Sequence, residues 1–212
     1  MKIDRSGVPF IVVAAGAAAG LAAAKRYGWA ASFAALGGFF AYFFRDPDRI
    51  VPEGPDLAVS PADGRVIFAG PAPTETSPPG MWLQITIFLS PIDVHINRSP
   101  VAGTVTKIEY RPGRFLPAYD ARAGENELNE VWVDTDGATV VFRQVVGILA
   151  RRIVCRIQEG QHLGRGERIG LMKFGSRMDV FLPPSADLHV HEGDHVVAGE
   201  TVLAVLRSDD AA

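Results

Sequence analysis

Phe174-Gly175-Ser176-Arg177-Met178-Asp179-Val180-Phe181-Leu182-Pro183 sets a glycine carbonyl and a serine hydroxyl between two apolar, β-like runs near the C-terminus. Glycine has no Cβ, so this peptide can take strained backbone angles and a neighbouring hydroxyl can approach its carbonyl closely. Gly-Ser is also an ordinary turn or bulge dipeptide, and by itself it decides no chemistry. The runs around it decide the fold class. From Leu57 onward, short alternating stretches are punctuated by Gly and Pro: Arg65–Ala69, Trp82–Phe88, Thr104–Tyr110 and Val131–Asp134. That spacing predicts a mainly β domain, a sandwich or barrel, with no amphipathic helix after Phe44. Thr74–Gly80 reads as a Pro-rich surface loop and Arg111–Asn129 as a longer polar one, and long loops in compact domains are often functional.

The chain of 212 residues is long enough for one domain, or one domain plus an anchor. A net charge of −3 argues against a nucleic-acid protein, which would carry a basic stripe. The single cysteine, Cys155, excludes an internal disulfide and a cysteine-rich metal site. It lies in the alternating run Arg152–Ile157, where it reads as a small core hydrophobe.

Two apolar stretches open the chain, Val8–Ala24 and Ala30–Phe44, separated by Lys25-Arg26-Tyr27-Gly28-Trp29. Neither reaches the roughly 20 residues of a comfortable membrane-spanning helix. Met1-Lys2-Ile3-Asp4-Arg5 imitates the start of a signal peptide, but a second apolar run follows at once. Basic residues before, between and after the runs give no clean topology. Phe39, Phe40, Tyr42, Phe43 and Phe44 meet Arg45 and Asp46 as aromatic residues do at a membrane interface. Residues 1–50 are therefore expected to attach the chain to the cell membrane as a helical hairpin or re-entrant segment, with a buried core hairpin as the alternative. Residues 51–212 form the β domain, placed on the cytoplasmic side.

Two repeats run through that domain. Ser60-Pro61-Ala62-Asp63-Gly64-Arg65-Val66 is echoed by Ser99-Pro100-Val101-Ala102-Gly103-Thr104-Val105. The run from Glu159 to Glu167 is echoed by the run from Glu192 to Glu200, each glycine turn leading into an apolar strand. These resemble the hammerhead units of lipoyl-type barrel-sandwich domains. His162 and His195 occupy equivalent turn positions, which favours structural roles for both. His189 and His191 flank Val190 with no third ligand nearby, so no metal site is expected.

The runs Phe43-Phe44-Arg45-Asp46-Pro47, Pro61-Ala62-Asp63-Gly64 and Ser90-Pro91-Ile92-Asp93-Val94-His95 precede Phe174-Gly175-Ser176 in that order. Together they resemble phosphatidylserine decarboxylase proenzymes of the short bacterial type, from about Phe43 to Leu206. The resemblance implies self-cleavage between Gly175 and Ser176 into chains 1–175 (β) and 176–212 (α), which remain together as a heterodimer. It implies a pyruvoyl cofactor made from Ser176, with no metal. That group would form a Schiff base with membrane phosphatidylserine, release CO2 and leave phosphatidylethanolamine.

A serine hydroxyl is a weak nucleophile and needs a base, which itself needs an orienter. Asp63 and His95 are the matching candidates, although Asp before Gly is also a common turn residue. Longer bacterial relatives carry two histidines three apart after Ser-Pro. Here the first matches His95 and the second position is Arg98, so either His95 is the base or the base lies elsewhere. His95 is also the candidate proton donor after CO2 loss. Arg98, Arg151 and Arg152 are candidates for the headgroup phosphate, or else solvated strand-flanking residues. Two alternatives remain from sequence: a non-enzymatic membrane-anchored lipoyl-like adaptor, and a decarboxylase of another serine-headed lipid. The adaptor lacks a lysine at either hairpin tip to carry a prosthetic group.

Overall fold

Runs rich in Ala and large apolar residues favour helix despite their glycines, and both N-terminal runs form one. The computed structural model describes residues 2–147, 152–173 and 176–207. It divides into two units, Met1–Asp48 and Arg49–Ala212. In the first, α1 (Val8–Ala23) starts with a proline in its first turn, where the missing N–H has no intrahelical partner to lose. It is followed by α2 (Tyr27–Phe43) after a turn in which Lys25 takes a left-handed φ of 57°. The helices run antiparallel, with Phe10 5.2 Å from Phe40 and 5.6 Å from Phe44 between ring centres. The two ends of the unit are tied by β1 (Lys2–Ile3), which pairs with β2 (Arg45–Asp46). Most helix side chains face outward, Val12, Val13, Tyr27 and Trp29 among them. No helix among the described residues is long and apolar enough to cross a membrane.

Among its described residues the second unit contains fourteen strands and one short 3-10 helix, Ala121–Glu125. In chain order the strands begin with β3 (Leu57–Val59), β4 (Gly64–Pro71), β5 (Leu83–Leu89), β6 (Ile96–Arg98) and β7 (Gly103–Arg111). Next come β8 (Leu128–Thr135), β9 (Ala138–Val146), β10 (Ile153–Cys155), β11 (His162–Leu163) and β12 (Arg168–Met172). The last four are β13 (Ser176–Leu182), β14 (Asp187–Leu188), β15 (His195–Val196) and β16 (Val202–Val205). Eight of them form one antiparallel, curled half-barrel sheet in the order β11-β7-β8-β9-β13-β5-β4-β15. Two three-stranded sheets, β10-β12-β6 and β14-β16-β3, complete the unit.

Strand β13 lies in the middle of the large sheet and is buried along its whole length. Its side chains alternate in direction, as a strand requires. Met178, Val180 and Leu182 join the main core with Ile85, Ile87, Leu89, Val140 and Phe142. Arg177 and Asp179 take the opposite face. There the Asp179 carboxylate accepts from Thr86 Oγ1 at 2.9 Å and from Arg177 Nη2 at 3.0 Å.

The same outer face carries a second buried charge cluster. Glu130, fully buried, accepts from Arg143 Nε at 2.5 Å, Trp132 Nε1 at 2.9 Å and Arg111 Nη2 at 3.2 Å. Arg143 also donates to the Thr76 carbonyl, which fastens the loop 72–82 over this face. Removing one member of a buried ion pair leaves its partner uncompensated, so Glu130→Ala should destabilise the domain by about 3–5 kcal/mol. Denaturant unfolding of the variant against the parent chain measures this, and a loss below about 1 kcal/mol would contradict it.

The sequence repeats are real in three dimensions, and they pair crosswise. Val66 N–H donates to the Asp194 carbonyl at 2.8 Å, and the Val66 carbonyl accepts from Gly193 N–H at 2.8 Å. Val105, its counterpart, makes the same two bonds with Gln161 at 2.9 Å and Gly160 at 2.7 Å. Ser60 likewise pairs with Thr201 and Gly199, and Ser99 with Glu167 and Gly166. Gly64 and Gly103 are equivalent too. A Cβ at either would sit 2.2 Å from the Phe88 oxygen or 2.3 Å from the Asp134 oxygen. That close approach explains the glycine at both positions.

Candidate active site

Ser176 is the first residue of β13, paired with Leu89 on one side and Val146 on the other. The alternation that sends Met178 and Val180 into the core sends Ser176 there as well. Its side chain is fully buried, and its Oγ has no hydrogen-bond partner among the described residues. A buried hydroxyl left unsatisfied costs about 1–3 kcal/mol. Such an orphan calls for a reason, and a reacting group is one. Gly175, the other half of the expected cleavage site, and Arg151 lie outside the described residues.

His95 follows a turn closed by its own sequence: Asp93 N–H donates to the Ser90 carbonyl at 2.9 Å, and Ser90 N–H to Asp93 Oδ2 at 2.7 Å. Its Nδ1 lies 3.0 Å from the Asp93 carbonyl oxygen. A carbonyl can only accept, so Nδ1 carries the hydrogen of this bond, and in the neutral ring the basic lone pair sits on Nε2. The His95 carbonyl accepts from Met172 N–H at 3.4 Å, at the end of β12, which leads toward Ser176. Of the five histidines, only His95 is buried; His162, His189, His191 and His195 are exposed at turns and strand ends. Burial therefore separates the one candidate from the four that sequence reading assigned to structure or left without a site.

Asp63 sits in the turn before β4. One nitrogen of Arg49, Nη2, donates to both of its oxygens at 2.9 and 2.7 Å, and Ala198 N–H donates to Oδ1 at 2.8 Å. The turn is joined to the His95 strand, because Arg98 N–H donates to the Pro61 carbonyl at 2.9 Å. Arg98 is itself buried, and its Nη1 donates to the Gly166 carbonyl at 2.9 Å. Arg152 is exposed, its carbonyl accepting from Lys173 N–H at 3.3 Å. The structure thus ties together the segments carrying Ser176 and His95 through β12, and those carrying His95 and Asp63 through Arg98.

Sequence reading missed two features. One is Arg49, two residues beyond the Arg-Asp-Pro run that was singled out. The other is a buried amide chain on the core face: Asn129 donates to Gln144 at 3.2 Å, and Gln144 to Asn97 at 2.9 Å. Gln144 lies opposite Met178, one pair along the same face from Ser176. The Asn97 Nδ2 ends this chain buried and without a partner among the described residues. Asn97 lies two residues after His95, and its polarity in an otherwise buried strand was the available signal.

The long loops do not lie over Ser176. Tyr119, Asp120 and Gly124 from one loop and Pro73 and Thr76 from the other line a cavity of about 310 Å³ with Gln84, Thr86 and Arg177. Those last three side chains occupy the outer face of the sheet, opposite Ser176. One loop does brace the site from behind: Asn126 Nδ2 donates to the carbonyl of Val146, the register partner of Ser176, at 2.8 Å.

A family model described as phosphatidylserine decarboxylase matches residues 36–204 of the chain. Three similar curated proteins carry the name phosphatidylserine decarboxylase proenzyme. That of Symbiobacterium thermophilum is 48% identical over 206 residues, covering 96% of this chain and 95% of its own. That of Solibacter usitatus is 43% identical over 205 residues, covering 96% and 97%. The protein of Oleidesulfovibrio alaskensis is 43% identical over 213 residues, covering 99% and 97%.

Proposed function

Since the chain belongs to the phosphatidylserine decarboxylase family and decarboxylates phosphatidylserine, we propose that it first arms itself by self-cleavage between Gly175 and Ser176. The observation that carries this reading is the buried hydroxyl of Ser176, without a hydrogen-bond partner among the described residues, at the head of a central strand. Ser176 Oγ attacks the preceding carbonyl while His95 Nε2 accepts its proton. The C–N bond then breaks, the proton passes to the leaving nitrogen, and an ester replaces the peptide. Loss of a proton from the Ser176 Cα and rupture of the Cβ–Oγ bond release chain 1–175 as a carboxylate. The dehydroalanine left behind takes up water and loses ammonia. Asp63, joined to the His95 strand through the bond from Arg98 N–H to the Pro61 carbonyl, is the proposed orienter of the base.

The residues present fit a pyruvoyl group at position 176, because that position is buried at the head of a central strand and its hydroxyl has no hydrogen-bond partner among the described residues. A pyruvoyl ketone supplies an electrophile for the substrate amine and a sink for the electron pair freed as CO2 leaves. His95 then returns a proton to the carbon that lost CO2. Chain 176–212 stays bound after cleavage. β13 is paired on both sides, and β15 and β16 pair with β4 and β3.

Intact mass under denaturing conditions tests the proposal. Two chains, 1–175 and 176–212, are expected, the smaller resisting Edman sequencing because a ketone replaces its amine. Full-length protein alone would overturn it.

The matched bonds of the two repeats support the likeness to lipoyl-type hammerhead units. Outward-facing apolar side chains on α1 and α2 support attachment of this unit to the membrane. A chain beginning at Arg49 should still cut itself and act on short-chain, water-soluble phosphatidylserine, while its activity on bilayers falls. Loss of self-cleavage in a folded, soluble truncation would show that residues before Arg49 belong to the catalytic unit.

A further inference from the structure

We propose that Arg49 is a positioning residue for self-cleavage, acting through Asp63. This rests on the reading of Asp63 as part of the cleavage machinery. Both side chains are largely withdrawn from solvent, at 14% and 16% exposure. An exposed ion pair would contribute little, but this carboxylate is gripped from two directions. Arg49 Nη2 spans both oxygens at 2.9 and 2.7 Å, and Ala198 N–H holds Oδ1 at 2.8 Å. A carboxylate offers about four acceptor positions. These contacts use two on Oδ1 and one on Oδ2, so the position left is on Oδ2, and the carboxylate cannot rotate without breaking a bond.

Arg49 is itself held in place. Its Nη1 is 3.9 Å from Glu200 Oε2, and the other oxygen of Glu200 accepts from Ile50 N–H at 3.0 Å. Gly199 lets the cluster close. A Cβ there would lie 3.0 Å from Arg98 Cδ and 3.7 Å from Arg49 Cβ, at a φ of +76° that disfavours other residues. Asp63 is thereby fixed against a segment of chain 176–212, the chain that carries the reacting serine at its start. The charge of Arg49 and its single bridging nitrogen keep the carboxylate aimed in one direction.

The test measures self-cleavage of the full chain over time by gel, with thermal unfolding of each variant alongside. Arg49→Gln should slow cleavage by about 10- to 100-fold, the size of coupling expected within one hydrogen-bonded network. Arg49→Lys should recover most of the rate, because one ammonium can reach both oxygens as Nη2 does. The double variant Arg49→Gln/Asp63→Asn should be no slower than Asp63→Asn alone. Wild-type cleavage by Arg49→Gln, or losses that multiply in the double variant, would overturn the proposal. So would a Lys variant as slow as the Gln variant, which would point to packing rather than charge. Normal cleavage by Asp63→Asn would instead remove the reading of Asp63 on which the proposal stands.

Discussion

Ser176→Ala yields a chain that stays at full length and releases no CO2 from phosphatidylserine. The substitution removes the only nucleophile in the proposed cleavage and the atom whose loss would create the ketone. The fold has no reason to suffer. Ser176 points into the core beside Met178, and its hydroxyl has no partner to lose among the described residues. Deleting an unsatisfied buried polar group is neutral or stabilising. The variant should therefore unfold at the same temperature as the precursor or slightly above it. That separates loss of chemistry from loss of structure. Any cleavage at this bond in the Ala variant would remove Ser176 from the mechanism.

His95→Ala should slow self-cleavage on the order of 10³-fold or more, as expected when one member of a catalytic unit is removed. The buried ring is held at Nδ1 by the Asp93 carbonyl, which directs its basic nitrogen the other way. Alanine also leaves a cavity, so His95→Gln should be compared with it and both checked for retained folding. Normal maturation by both variants would place the base elsewhere. Maturation without decarboxylation would assign His95 to proton delivery alone.

Much of the fold was legible because strand formation leaves a local, period-two mark. The stretch Thr104–Tyr110 became Gly103–Arg111, and Trp82–Phe88 became Leu83–Leu89. Where prediction fell short, buried polar residues hid the pattern. Val131–Asp134 extends back to Leu128, because Asn129 and Glu130 are inside the sheet with partners on other strands. Histidine turns were read from repeat equivalence, and both His162 and His195 begin short strands paired to equivalent partners, β7 and β4.

Determined by the sequence itself were the β architecture, the paired repeats and the two helices, while Ser176 and His95 entered as candidates through the family resemblance. The first three depend on short-range pattern, and the candidates on motifs shared with the family. Only tertiary structure decided that Ser176 faces the core while both long loops cover the other face of the sheet. It also decided that Asp63 is held by Arg49 and by Ala198, 135 residues away. The same holds for the amide chain that ends at Asn97. Those partnerships arise from strand register between distant segments, and register is set by the packing of the whole sheet rather than by any one run of residues.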